Sequence, residues 1–214
     1  MAPFSSLLRH LFLPRTDRTG QQAEADADRR WTTAAGLEVT LFAGELLDAP
    51  AEALCTSTNP RLSLGGGTGR SVLEETGWGL KRRLEEIAAA EAVRTGAEEL
   101  PVGFTCSTPG GRPPHRLIVH CVASARAHRS SPEAARRCTE GALSEADRAG
   151  CETLALPVFG TGHADLPYDQ AVQAMAGTLR DARPRAIRTV YLVVFPPHRA
   201  ALARQILDRE LASP

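Results

Sequence analysis

The chain has 214 residues, with 25 basic and 25 acidic side chains and a formal net charge of zero. A neutral chain has no global field to draw it onto polyphosphate, which argues against a general nucleic-acid binder. The length fits one generous domain or one domain with a tail, and the 43 % hydrophobic content fits a folded globule rather than a disordered chain.

In chain order, residues 1–34 stand apart as an N-terminal arm, and residues 35–214 carry the pattern of a folded domain. Pro14 to Arg30 is polar and charged with no sustained period, which reads as a linker or flexible arm. Residues 4–13 fit either a short amphipathic helix or a poorly ordered terminus. The apolar patch Leu7 to Leu13 is broken by Arg9 and His10, and no run approaches the roughly 20 residues that span a bilayer. No small-residue cleavage site follows, so the expectation is a cytoplasmic chain without a membrane partner. Cys55, Cys106, Cys121, Cys138 and Cys151 form no C-x-x-C pair and no zinc-like cluster with the histidines. Reduced thiols, no metal and no resident cofactor are expected, in a monomer.

The regular pattern begins with two short apolar strands, Val39 to Ala43 and Ala53 to Ser57. A long helix follows, with Val72, Leu73, Leu80, Leu84 and Ile87 facing the core and Lys81 to Arg83 with Glu85 and Glu86 on a solvated face. Val102 to Ser107 and Leu117 to Val122 read as strands, the second nearly continuous in apolar residues and so buried on both faces. His120, inside it, reads as a core histidine with its hydrogen bonds satisfied. Ser131-Pro132-Glu133 starts a helix that ends near Gly150. Thr153 to Phe159 is a strand, Pro167 opens a helix to about Ala182, Thr189 to Phe195 is the last strand, and Pro197 opens a helix to about Leu211. Six strands interleaved with four helices predict an α/β/α sandwich on a mixed sheet. Ligands in such folds bind beyond the carboxyl ends of the strands.

Two of the loops that follow strands are rich in glycine. Asn59 to Gly69 includes Gly65, Gly66 and Gly67 in a row, then Thr68 and Gly69, at the start of the long helix. Such a loop brings backbone amides close to an anion at a helix N-terminus. It is neither a Walker A loop nor a dinucleotide fingerprint, because Leu64 and Arg70 stand where those motifs need Gly, Lys or Gly. Pro157 to Pro167 is the second loop, with Gly160, Thr161, Gly162 and His163. Two such loops on one sheet edge suggest a diphosphate held between them, and Thr161 adds a hydroxyl.

Five ordered segments resemble the macrodomain family. Phe42-Ala43-Gly44-Glu45-Leu46-Leu47 is similar to its G-D-I-T box, Cys55-Thr56-Ser57-Thr58-Asn59 to its V-N-A-A-N strand end, and the triple glycine to its G-G-G-V loop. Leu117 to Val122 is similar to its I-I-H-T-V strand, and Gly160-Thr161-Gly162 to its S-T-G phosphate loop. Val193-Val194-Phe195 also matches the family's last strand, with its aromatic end. The resemblance implies a three-layer sandwich with a six-stranded mixed sheet and a cleft for ADP-ribose, free or linked to protein. Glu45 stands where the family reads adenine, Phe195 where an aromatic stacks on it, and Asn59 where an amide meets the distal ribose. Gly65 to Gly69 would cradle one phosphate, and Gly160 to His163 the other.

The departures bear on activity. A hydrolytic branch of the family carries an Asp where this chain has Gly69, and Thr56 replaces the first Asn of the strand-end motif. Loss of that carboxylate removes the obvious general base. Three readings follow: a binding module for ADP-ribose; a hydrolase of mono-ADP-ribosyl esters or of ADP-ribose 1″-phosphate, with Asn59, His163 and Asp165 as candidate catalytic residues; and a sensor of NAD metabolites with the arm as its interaction segment.

Overall fold

The computed structural model describes residues 29–65, 67–111, 114–125 and 129–212. The expected helix over 4–13, with the arm as far as residue 28, lies outside these residues. The strands are β1 (Arg30–Thr32), β2 (Glu38–Ala43), β3 (Ala53–Thr58), β4 (Thr105–Pro109), β5 (Leu117–Val122), β6 (Thr153–Pro157) and β7 (Thr189–Val194). The helices are α1 (Gly67–Thr76), α2 (Trp78–Thr95), α3 (Pro132–Arg148), α4 (Tyr168–Asp181) and α5 (Ala200–Leu211).

All seven strands join one sheet in the order β1-β2-β7-β6-β3-β5-β4. The five inner strands are parallel, and the edge strands β1 and β4 run antiparallel to their neighbours. The sandwich and the mixed sheet are as expected, with one strand more than six. Side chains alternate across the pleat and so sort into two cores. Val39, Leu41, Cys55, Val119, Cys121, Leu154, Leu156, Val190 and Leu192 pack against α3, α4 and α5. Leu54, Ile118, Val122, Ala155 and Val193 pack on the other face against Val72 of α1 and Leu80 and Leu84 of α2.

The extra strand comes from residues assigned by pattern to the arm. Trp31 is buried, and its indole N–H donates to the Asp208 carboxylate on α5 at 3.0 Å. Arg29 pairs with the same carboxylate oxygen at 2.7 Å and lies over the Trp31 ring at 5.7 Å. Three residues are too few to show a strand period, so only this tertiary clamp reveals β1.

The long helix is also two helices. Gly77 adopts a φ of +82°, which an L side chain rarely tolerates, and the chain turns there between α1 and α2. The fourth strand begins later than expected, at Thr105, and ends on Pro109, which an edge position allows because no ladder donor is needed there. On α3, the Ser131 side chain accepts from the Ala134 amide at 3.1 Å, the N-cap its sequence announces. Lys81, Arg82 and Arg83 form exposed pairs with Glu85 and Glu86 along α2.

All five cysteines are free, and burial raises the pKa of Cys55, Cys106 and Cys121, Cys106 to about 12. Cys55, Cys121, Cys138 and Cys151 are small core residues and Cys106 is half-buried, with Cys55 and Cys121 Sγ atoms 3.2 Å apart across β3 and β5. His120 is fully buried, its Nδ1 3.0 Å from Thr56 Oγ1 and its Nε2 2.8 Å from Thr108 Oγ1. The ring therefore ties β5 to both of its neighbours. Burial without a charge partner pushes its pKa down to about 4, so the fold holds it neutral.

That ring sets an acid limit. The unfolded chain protonates His120 near its ordinary pKa of 6.5, while the fold resists protonation until about 4. Its contribution is full above pH 6.5 and is lost as the pH falls towards 4, by roughly 3 kcal/mol in all. Urea denaturation at a series of pH values checks this. His120→Gln is expected to lower stability at pH 7 and to flatten the decline between pH 6.5 and 4. An unchanged decline would exclude His120 as its source.

Candidate functional site

The parallel strands all finish at the same edge, where their loops enclose a cleft of about 860 Å³. Each strand contributes to its wall: Glu45, Leu46 and Leu47 beyond β2; Ser57, Thr58 and Asn59 at β3; Ser124 beyond β5; Pro157 and Val158 at β6; Phe195 and Pro196 after β7. Of the residues singled out by sequence, Glu45, Asn59, Gly65, Gly67, Thr68, Gly160, Thr161, Gly162, His163 and Phe195 line this one cleft. Gly66 lies outside the described residues.

Two expected residues are not brought to the cleft. Gly69 is buried in α1, where an added Cβ would sit 3.2 Å from Leu64 Cδ2 and 3.3 Å from Leu64 Cα. The glycine is explained by packing against Leu64, and a carboxylate there would have to displace it. Asp165 turns outward at a φ of +52° and is exposed beyond the second loop.

At one end of the cleft stand Glu45 and Phe195. Glu45 is extended and exposed; its carboxylate caps no helix and has no ion-pair partner among the described residues. Phe195 is 62 % exposed directly after a fully buried strand residue, Val194. The Phe195 ring is open to the cleft. In the sheet order Asn59 lies three strands from Glu45, roughly 14 Å at the usual strand spacing, and two strands from Phe195.

Asn59 is already half used. Its Oδ1 accepts from the Arg61 and Ser63 amides at 3.0 and 3.1 Å and so shapes the turn after β3. What remains for a ligand is the amide N–H₂, a donor only. Thr161 is likewise engaged: its hydroxyl donates to the Val158 carbonyl at 3.1 Å. The hydroxyl expected to meet a phosphate therefore pins its own loop, and the donors left there are backbone amides. α1 begins at Gly67 in the cleft wall, which presents first-turn amides and the positive end of a helix dipole.

The glycines of the second loop differ in cause. Gly160 has a φ of +77°, and a Cβ there would lie 2.4 Å from Ser130 Oγ, so the fold demands glycine. Gly162 has no such φ, and a Cβ would meet nothing within 4 Å. Nothing inside the protein requires glycine at 162.

Sequence reasoning missed Ser57, Thr58, Ser71, Ser124 and above all Arg199, all of which line the cleft. Arg199 follows Phe195 by one short turn, and that closeness to the last strand end was the signal available. Its guanidinium lies 5.0 Å from the centroid of the Tyr168 ring, at the start of α4. No helix among the described residues is long and apolar enough to cross a membrane.

A Macro domain family model matches residues 55–175, more than half of the chain. The chain belongs to this family. The macrodomain is 28 % identical over 162 residues to an uncharacterized protein of Pyrobaculum aerophilum, covering 75 % of this chain and 85 % of that one. It is 29 % identical over 161 residues to an uncharacterized protein of Mycobacterium tuberculosis, covering 74 % of this chain and 41 % of the longer relative. Among solved structures, a mutant Oceanobacillus iheyensis macrodomain with ADPR superposes with a TM-score of 0.75 at 19 % identity, covering 86 % of this chain and 99 % of that one. A Trypanosoma brucei macrodomain in complex with ADP-ribose gives 0.63 at 20 % identity, covering 86 % and 78 %. At these identities the structures speak for the fold.

The two glycines separate in a stability test. Gly160→Ala is expected to cost about 2 kcal/mol or more, from strain at positive φ and the clash with Ser130. Gly162→Ala should stay within about 0.5 kcal/mol of the parent. Chemical denaturation of both variants measures the difference, and equal losses would contradict the assignment.

Proposed function

We propose that this macrodomain is a binding module for ADP-ribose, free or attached to protein. In this reading the adenine stacks on Phe195, and Glu45 accepts from its amino group. The amides of Gly65 to Thr68 and the N-terminus of α1 take one phosphate, and those of Gly160 to His163 the other. The Asn59 amide donates to the distal ribose. The solved macrodomains with ADPR or ADP-ribose support the ligand by kinship of fold.

The observation that carries the reading is Gly162. It lines the cleft, and neither its backbone angle nor its surroundings call for glycine. Missing side-chain volume that the fold does not need is space kept for a ligand, and backbone amides on a loop at the strand ends suit an anion. The same geometry favours binding over hydrolysis. Gly69 is packed beneath Leu64 and does not line the cleft. Glu45, the carboxylate among the described cleft residues, stands at the Phe195 end, three strands from Asn59. The Asn59 oxygen, spent on its own turn, cannot also orient a water.

Calorimetry with ADP-ribose tests the proposal. Saturable binding is expected, weakened about 10- to 100-fold by Phe195→Ala, the usual worth of one base stacked on an aromatic ring. Gly162→Ala should lower affinity while leaving the fold intact. No heat at millimolar ligand would reject the proposal. Incubation with a mono-ADP-ribosylated protein then separates binder from hydrolase: the label is expected to stay in place over hours, and its release would assign catalysis.

A further inference from the structure

The cleft contains a charge that no part of the binding scheme above uses. Among the described residues that line it, Arg199 is the one arginine or lysine. It is half-buried, and no carboxylate pairs with it among the described residues. Arg29, Arg61, Arg70, Arg94, Arg116, Arg136, Arg148 and Arg180 pair with acids, whereas Arg199 is the arginine in the cleft and stands without one among the described residues. In place of an acid, Arg199 has the face of Tyr168 at 5.0 Å. An aromatic face holds a guanidinium in position without neutralising it or occupying its in-plane donors. The Tyr168 hydroxyl is buried without a hydrogen-bond partner, so the ring's contribution here is its face and its bulk.

The position is informative as well. Arg199 comes from the turn that follows Phe195, at the adenine end. Tyr168 begins the helix that follows the second glycine loop. A side chain that leaves the first place and leans on the second lies between the stacking face and the phosphate loop. Building on the proposed binding of ADP-ribose, we propose that Arg199 is a specificity-determining residue that reads the phosphate next to adenosine, with Tyr168 as its positioning residue. A planar fork of N–H donors matches two oxygens of a phosphate, and charge-assisted bonds of this kind are strong. The backbone amides then supply the shape of the diphosphate site, and Arg199 supplies its charge selectivity.

Binding of three ligands to the full chain tests this: ADP-ribose and AMP, which carry that phosphate, and adenosine, which does not. Calorimetry serves for the first two and NMR shift titration for adenosine at millimolar concentration. Arg199→Gln is expected to weaken ADP-ribose and AMP about tenfold or more and to leave adenosine unchanged. Arg199→Lys should recover part of the loss, because it restores charge but not the fork. Tyr168→Phe should match the parent, whereas Tyr168→Leu should lose affinity for the phosphate-bearing ligands alone. Equal weakening of adenosine and ADP-ribose by Arg199→Gln would overturn the proposal, since the guanidinium would then act on the nucleoside or the fold. Unchanged ADP-ribose affinity in Arg199→Gln would overturn it too. Failure of the unaltered protein to bind ADP-ribose would instead reject the binding scheme itself, and it is seen before any variant is made.

Discussion

Parallel pairing of β2, β7, β6, β3 and β5 brings five strand ends to one edge, and the rest of the molecule follows from that alignment. Parallel strands need helical crossovers, and the crossovers cover both faces of the sheet. The open concavity is therefore left at the edge where the strands stop. Residues distant in sequence, such as Glu45, Asn59, Val158 and Phe195, reach one cleft because each follows a strand that ends at the same level. The two cores hold this alignment in place, since a register slip by one residue would exchange the side chains of Leu54 and Cys55 between them.

The electrostatics of the site are largely invisible to a charge count. The formal charge is zero, and most basic side chains that form ion pairs do so at the surface, where pairs contribute little. In the cleft the fixed charges are few. In the proposed binding scheme oriented amides take the phosphates, and their partial charges belong to the backbone. Asn59 and Thr161 illustrate the division of labour. Each commits its side-chain oxygen to a hydrogen bond within its own loop, which leaves the backbone as the source of donors in the proposed scheme.

What could be read from sequence was what local chemistry writes plainly. Long apolar runs marked the buried strands, Ser131-Pro132-Glu133 marked a helix start, and glycine clusters marked both loops. The layered fold and the glycine-loop residues of the cleft were legible on that basis, whereas Glu45, Phe195 and the role of Asn59 came from the resemblance to the family. The misses have tertiary causes. β1 exists because Trp31 and Arg29 close on Asp208, 177 residues from Trp31. The break at Gly77 is a matter of φ, which an apolar period across it conceals. Gly69 looked like part of a phosphate cradle because it continues a glycine run, yet Leu64 accounts for it. Arg199 gave little sign, since what marks it is a ring 31 residues earlier in the chain and the want of an acid beside it.

The direction of β1 has a geometrical consequence. Arg30 pairs with Thr40 and Thr32 with Glu38, and the Arg29 carbonyl accepts from the Leu41 amide. Traced backwards from Thr32, the chain therefore heads towards the end of β2 that leads into Glu45. α5, by contrast, starts near Phe195 and runs away from it. The domain has a front door and a back door. The described chain thus enters the fold at Arg29 from the side of β2 that leads to the cleft, and its last helix ends on the other side. A label attached at Arg29 would therefore sit on the cleft side of the edge strand, and one attached at Ala212 on the far side.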